Sequence, residues 1–181
     1  RRGLVDGSDG RARGLVDVPG SGFAPLGFVE PAAPVSLVRE SDTFVLENAE
    51  VRVTVDANGL VTSILDTSED RELLPEGRVA NLLQVHEDLP NAWDAWDIDA
   101  HYRHKVRDLT EFDSIEVVED TPLRARLAVH RTFGSSSLTQ TITVEADDPR
   151  VHFGVDLDWE ETEKLLKVSF PFNIRAQYHS A

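Results

Sequence analysis

The chain has 181 residues, with 18 Lys and Arg against 33 Asp and Glu, and its formal net charge is −15. A chain this acidic lacks the surplus of cations needed to bind a nucleic-acid backbone or an anionic membrane surface, which excludes both as partners. The chain has no cysteine, so disulfides, thiolate metal sites and a cysteine nucleophile are excluded, and a reducing cytoplasmic location is expected. It also has no methionine, even at position 1, and we therefore expect it to be part of a longer polypeptide.

The remaining composition is that of a globular protein, with 40% hydrophobic and 28% charged residues. No run of apolar residues approaches the ~18 needed to cross a bilayer. Arginine far outnumbers lysine, and alanine, valine and aspartate are abundant. This residue usage is typical of a high-GC bacterial genome, and we expect a bacterial source.

Residues 1–42 are irregular and rich in glycine and proline. This punctuation excludes a long helix and predicts an extended connector with one or two short strands. A pure linker would be more polar, so Phe23, Leu26 and Phe28 indicate that the connector docks on neighbouring structure.

From residue 43 onward, apolar and polar residues alternate with the period of a β-strand. Val51, Val53 and Val55 form such a stripe, and Ala57-Asn58-Gly59 follows as a hairpin turn, because Asn and Gly tolerate positive φ. The cleanest stripe covers 151–159. Strands recur about every 10–15 residues without a helical stripe between them, so the fold class is all-β, an antiparallel β-sandwich. The predicted strands cover 51–55, 60–66, 79–86, two stretches within 116–133, 138–145, 151–159 and 165–172.

The most unusual segment is 87–99, which holds two of the three tryptophans and five acidic residues. An indole face can take the C–H side of a pyranose ring, and carboxylates accept hydrogen bonds from its hydroxyl groups. The alternative is a surface loop whose tryptophans attach it to the sandwich. The candidate substrate-binding residues are Trp93, Asp94, Trp96 and Asp97.

Two other clusters have the residue types of a functional site. The first has the spacing D-x-D-x-H-x-x-H, which matches no strong metal signature and lacks the glycine and glutamate positions of a calcium loop. The second could supply paired carboxylates for glycoside hydrolysis, but its residues lie close together at a strand end. We interpret both as solvated and predict neither a metal ligand nor a catalytic residue in this chain. The clusters are Asp97, Asp99, His101 and His104, and Glu160, Glu161 and Glu163.

Two blocks carry a resemblance to a known family. They are Trp-Asp-Ala-Trp-Asp-Ile-Asp at 93–99 and Asp-Trp-Glu-Glu-Thr-Glu-Lys-Leu-Leu-Lys-Val-Ser-Phe-Pro at 158–171. In this order they resemble the β-sandwich region of glycoside hydrolase family 38, the retaining zinc α-mannosidases, and are most similar to its bacterial and cytosolic members. The resemblance covers roughly residues 14–175, with weaker matches at 18–27, 46–53, 59–66 and 81–90.

The resemblance implies an incomplete sandwich of the galactose-mutarotase-like type. Residues 1–42 would be a connector and the end of a small β-domain, and residues 43–181 the N-terminal part of the large sandwich. The catalytic carboxylates and the Zn²⁺ are implied to belong to a barrel of the same polypeptide that lies outside this chain. The whole protein would then hydrolyse terminal non-reducing α-D-mannose residues of an α-mannoside or oligosaccharide by a two-step retaining mechanism. This chain alone would be inactive and would lend structure, and loops, to the sugar pocket.

Two alternatives stay open: an autonomous carbohydrate-binding module, and a β-sandwich interaction domain with no role in sugar binding. Residues 174–181 have the pattern of a further strand, so we expect an open sheet edge near the C-terminus. Such an edge needs cover, and we expect it either to pair with a second chain or to be covered in another way.

Overall fold

The computed structural model describes residues 4–7, 10–93 and 96–175. Within these ranges the only helix is the 3₁₀ helix Ala100–His104, and no helix is long and apolar enough to cross a membrane. The strands are β1 (Leu4–Asp6), β2 (Ala12–Val16), β3 (Phe28–Val29), β4 (Ser36–Glu40), β5 (Thr43–Glu47), β6 (Val51–Val55), β7 (Val61–Asp66), β8 (Arg71–Glu72), β9 (Leu82–Glu87), β10 (Val106–Asp108), β11 (Ser114–Thr121), β12 (Arg124–Phe133), β13 (Ser136–Glu145), β14 (Val151–Asp158) and β15 (Lys164–Ser169).

The strands of the described residues pair antiparallel and form four sheets. Their strand orders are β1-β2-β3, β4-β5-β6-β7-β8, β11-β12-β13-β14 and β10-β9-β15. The predicted all-β antiparallel class is therefore confirmed.

The main core lies between the five-stranded and the four-stranded sheets. Val51, Val53 and Val55 of β6 are buried there, as their alternation with polar residues predicts. They belong to one cluster with Leu127 of β12 and Ile142 of β13. Burial of each such aliphatic side chain contributes about 1.5–3 kcal/mol to folding.

The turn between β6 and β7 confirms the predicted hairpin. Gly59 has φ +73°, and a Cβ built on it would lie 2.5 Å from Cγ1 of Val129. The carboxylate of Asp56 closes the turn by accepting hydrogen bonds from the backbone N–H groups of Asn58 and Leu60, both at 2.9 Å. Glycine at this position satisfies both the left-handed backbone and the close approach to β12.

A second, smaller core lies between the four-stranded sheet and the sheet β10-β9-β15. Leu83 of β9, Phe133 of β12 and Leu138 of β13 are buried in it, and Trp159 and Leu166 pack against them. One face of the four-stranded sheet therefore covers two different sheets along its length.

The two cores meet at a buried polar junction around Arg131, which is 1% exposed. Its guanidinium donates hydrogen bonds to Oε1 of Gln140 at 3.0 Å, the carbonyl of Glu111 at 2.6 Å and the carbonyl of Asn58 at 2.8 Å. Gln140 in turn donates through Nε2 to the carbonyl of Asn81 at 3.0 Å. Burial lowers the pKa of Arg131. Each of the three guanidinium nitrogens has an oxygen partner. These hydrogen bonds lower the free-energy cost of burying the charge of Arg131.

The N-terminal segment differs in detail from the expected connector. Residues 1–42 contain the four strands β1 to β4, two more than the expected upper number, and the first three form a sheet of their own. Glu119, only 3% exposed in its side chain, lies 3.4 Å from Arg13 of β2 and 3.8 Å from Arg124. This ion-pair group joins the small sheet to the sandwich. The strand β4 pairs with β5, so the first strand of the five-stranded sheet lies before residue 42.

One further predicted strand differs from the structure in its start, and another, at 151–159, is confirmed but lies at a sheet edge. The strand predicted from Val79 begins only at Leu82, because Asn81 adopts φ +55° and breaks the extended backbone. The apolar stripe of 151–159 lies on β14, which is an edge strand, and Val155 and Leu157 remain 50% and 38% exposed.

Candidate functional site

The loop that carries the predicted sugar-binding residues, 88–99, leaves β9 and leads into the 3₁₀ helix before β10. Two contacts close its base. Oδ2 of Asp99 accepts hydrogen bonds from the backbone N–H of Asn91 at 2.8 Å and from its side-chain amide at 2.9 Å. Nε2 of His101 lies 3.1 Å from the carbonyl of Leu89. The loop is therefore a closed structure with a fixed base.

At the tip of this loop the chain makes a tight turn. The carbonyl of Trp93 accepts hydrogen bonds from the backbone N–H of Trp96 at 2.7 Å and of Asp97 at 3.1 Å. Trp93 adopts φ +67°, a conformation that non-glycine residues rarely take. Trp93 is 75% and Trp96 89% exposed, and Asp97 is exposed beside them. The structure thus brings three of the four predicted residues to one tip, while Asp94 lies outside the described residues.

The 3₁₀ helix attaches the loop to the sheet β10-β9-β15. Tyr102 packs edge-on against the buried ring of His86, with the ring centroids 5.1 Å apart. Lys167 of β15 donates a hydrogen bond to the Tyr102 hydroxyl at 2.7 Å, which lowers the pKa of that hydroxyl. This contact between Lys167 and Tyr102, which braces the 3₁₀ helix against the sheet, was not predicted from the sequence. The scarcity of lysine was a signal, because Lys105, Lys164 and Lys167 all lie on or next to this sheet.

A cavity of about 500 Å³ lies at the end of the same sheet, beside the β12–β13 turn. Its wall includes the cations Lys105, Arg107 and Lys164 and the carboxylates Glu87 and Glu161. Lys105 donates a hydrogen bond to Glu87 at 2.7 Å and holds the pKa of that carboxyl below its usual range. The wall charges are therefore mixed in sign and partly paired with each other.

The glutamates near Trp159 have structural contacts. Oε1 of Glu161 accepts hydrogen bonds from the backbone N–H of Ser135 at 2.7 Å and from the hydroxyl of Ser136 at 3.1 Å. The carbonyl of Glu163 accepts one from the backbone N–H of Asp88 at 2.9 Å. Glu161 thus braces the β12–β13 turn.

The residues suspected of metal binding, Asp97, Asp99, His101 and His104, are not brought together. Within the described part of the chain, the one group of donors close enough for a metal ion is Glu145, Asp148 and His152. Arg124 donates a hydrogen bond to Glu145 at 2.7 Å, and Arg150 donates one to Asp148 at 2.8 Å. Since arginine already neutralises both carboxylates, this group does not suit a divalent cation.

Comparison with known proteins shows the family to which the chain belongs. Residues 46–181 match the model of the glycosyl hydrolases family 38 C-terminal domain. The chain therefore belongs to glycoside hydrolase family 38.

Several α-mannosidases are similar to this chain. Human Alpha-mannosidase 2C1 is 33% identical over 171 residues, which cover 90% of this chain and 16% of that protein. Alpha-mannosidase G of Dictyostelium discoideum is 28% identical over 188 residues, covering 93% of this chain and 17% of that protein. Alpha-mannosidase of Saccharomyces cerevisiae is 29% identical over 161 residues, covering 80% and 15%. The chain thus spans about a sixth of the length of these relatives.

Proposed function

We propose that this chain is part of a cytoplasmic retaining α-mannosidase that releases terminal non-reducing α-D-mannose from α-mannosides. The matched family and the names of the relatives support the reaction class. In this proposal, the catalytic carboxylates and the Zn²⁺ belong to a barrel of the same polypeptide, and the present chain is inactive alone.

The observation that carries a substrate-lining role is the exposure of the two loop tryptophans. A solvent-exposed indole loses favourable burial, so its placement at 89% exposure on a loop with a fixed base supports a role in contact with something else. In the proposal, Trp93 and Trp96 pack on the apolar faces of sugar rings, while Asp94 and Asp97 accept hydrogen bonds from hydroxyl groups.

The test uses the whole protein, supplied with Zn²⁺, and an aryl α-mannoside as substrate. We expect Trp96→Ala to lower kcat/KM about tenfold, which corresponds to about 1.4 kcal/mol of lost ring contact. Trp96→Tyr keeps a flat ring and should recover most of this loss. Phe23→Ala, which removes an equally exposed aromatic outside the loop, should keep wild-type kinetics. Unchanged kinetics in Trp96→Ala would return the loop to a structural role, and inactivity of the wild-type protein on every α-mannoside would refute the reaction class.

The same exposure also favours a second candidate, an autonomous sugar-binding module. Titration of the 181-residue chain with mannose and mannobiose separates the two, followed by calorimetry and by tryptophan fluorescence. Two of the three tryptophans lie on the loop, so fluorescence reports ligand contact there directly. Binding at millimolar sugar supports the module, whereas no heat and no fluorescence change supports the lining role in a larger enzyme.

A further inference from the structure

The strand β14 closes the four-stranded sheet and pairs with β13 from Val151 to Asp158. Its other edge has no partner strand among the described residues. Val155 and Leu157 lie opposite Gln140 and Leu138, on the face that forms the cores, yet they are 50% and 38% exposed. The edge therefore presents both free backbone groups and uncovered apolar side chains.

The other free edges are better protected than β14. Natural edge strands avoid pairing by being short or by carrying lysine, proline or a bulge. The strands β1, β3, β4, β8 and β10 have two to five residues, β15 carries Lys164 and Lys167, and β11, which is as long as β14, has a register shift between Val117 and Glu119. By contrast, β14 has eight residues, no lysine, arginine or proline, and a regular register with β13.

The charges along β14 are arranged in two halves. Arg150 precedes the strand and His152 is its second residue, and both also contact Asp148, whereas Asp156 and Asp158 lie at its other end. All four are exposed, and because they occupy even-numbered positions they lie on the same, solvent-facing side of the strand. An antiparallel copy of the strand would place the basic half opposite the acidic half, so the edge is complementary to itself.

We propose that the free edge of β14 pairs antiparallel with β14 of a second copy of this chain, about a two-fold axis at Gly154. Arg150 then lies opposite Asp158 of the second copy, and His152 opposite its Asp156. On the other face, Val151 lies opposite Leu157 and Phe153 opposite Val155. The two four-stranded sheets become one continuous eight-stranded sheet.

Neighbouring registers are less favourable. A shift of one residue places apolar side chains opposite charged ones. An axis at Phe153 places Asp148 opposite Asp158, and an axis at Asp156 places that residue opposite itself, so like charges face each other in both. An axis at Val155 leaves Asp156 opposite glycine. The axis at Gly154 gives both aspartates of the strand a basic partner.

The first test is the mass of the intact chain by sedimentation velocity over a micromolar to millimolar range at about 0.15 M salt, where repulsion between the two acidic chains is screened. Wild type should shift from 20.1 kDa to twice that mass. An acidic variant, Arg150→Glu with His152→Glu, and a basic variant, Asp156→Lys with Asp158→Lys, should each stay monomeric. Their equimolar mixture should form the dimer again. A monomeric wild type, or a mixture that stays monomeric while both variants are folded by circular dichroism, overturns the proposal.

The acidic variant also removes both contacts with Asp148, so a second test keeps Arg150 and its hydrogen bonds to that carboxylate. Because the chain has no cysteine, the pair His152→Cys with Asp156→Cys should give a covalent dimer on oxidation. Within one strand these positions lie about 13 Å apart, too far for an intrachain disulfide. The control pair His152→Cys with Asp158→Cys should stay monomeric. Efficient dimerisation of the control instead places the axis at Val155 and overturns the proposed register, and failure of both pairs to cross-link overturns the interface.

Discussion

Replacing Gly59 by alanine tests how the β6–β7 turn is fitted onto the four-stranded sheet. Two costs can be separated. An L-residue at φ +73° costs about 1 kcal/mol of backbone strain. The new Cβ would also lie 2.5 Å from Cγ1 and 2.8 Å from Cγ2 of Val129, and overpacking of this kind costs about 1–3 kcal/mol. We therefore expect Gly59→Ala to lower the free energy of unfolding by about 2–4 kcal/mol.

The chain contains a matched control for the backbone cost. Gly77 has nearly the same φ, +70°, and nothing lies within 4 Å of the Cβ that it would gain. Gly77→Ala should therefore cost only the strain, about 1 kcal/mol. The difference between the two variants gives the cost of the contact with Val129.

A double-mutant cycle then identifies the contact. Val129→Ala alone should cost about 2–3 kcal/mol, since it leaves a cavity in the core. In the double variant the alanine of residue 59 fits into that cavity, so the two losses should overlap by about 1–3 kcal/mol. Urea unfolding of the 181-residue chain measures all four proteins. Strictly additive losses, or a Gly59→Ala variant no less stable than Gly77→Ala, would refute this reasoning.

Three further predictions concern polar contacts. Arg131→Met should lower the free energy of unfolding by about 3 kcal/mol or more, because buried carbonyls lose their donor; a loss below about 1 kcal/mol would contradict the buried junction. Arg150, with His152, holds the pKa of Asp148 well below its usual range, so this carboxylate stabilises the fold above the ordinary aspartate pKa and the contribution is lost as pH falls. Asp148→Asn should therefore flatten the decline of stability in urea titrations below about pH 4, and an unchanged slope would count against it. Asp99→Ala should speed hydrogen exchange at the Asn91 amide while global stability stays within about 0.5 kcal/mol; continued protection of that amide would show that other contacts hold the loop.

The alternation of residues predicted the strands well because it depends only on backbone geometry. Side chains at alternate positions share a face, so Val51, Val53 and Val55 could be assigned to one buried face without any tertiary information. The Asn-Gly turn followed from the same local logic. Alternation does not show whether a face is covered. The stripe on β14 was therefore identified, while the exposure of Val155 and Leu157 depends on which strands stand beside it.

The alternation of apolar and polar residues does not predict which polar residues are buried. Arg131 occupies an inward position of β12, and its partners are carbonyls from the β6–β7 turn and from the segment before β11. Such partners are distant in sequence, so nothing near Arg131 indicated that its charge would be satisfied. The brace of Tyr102 by Lys167 is similar, since the two residues are 65 positions apart. The tip of the tryptophan loop was recognised by its residue types, but its attachment required the structure.

The arrangement of the two cores separates the stability of the sandwich from the placement of the loop. The main core joins the five-stranded and four-stranded sheets and makes no use of β9, β10 or β15. The loop is attached to the sheet that these three strands form. Within that sheet, β9 and β15 contribute Leu83 and Leu166 to the second core. Because Arg131 lies where the cores meet, a substitution of Arg131 should affect the packing of both cores. A change confined to Leu166 should instead disturb the loop first, since Leu166 lies on β15, the strand that carries Lys167, and packs on the smaller core. The second core therefore positions the sheet β10-β9-β15 to which the loop is attached.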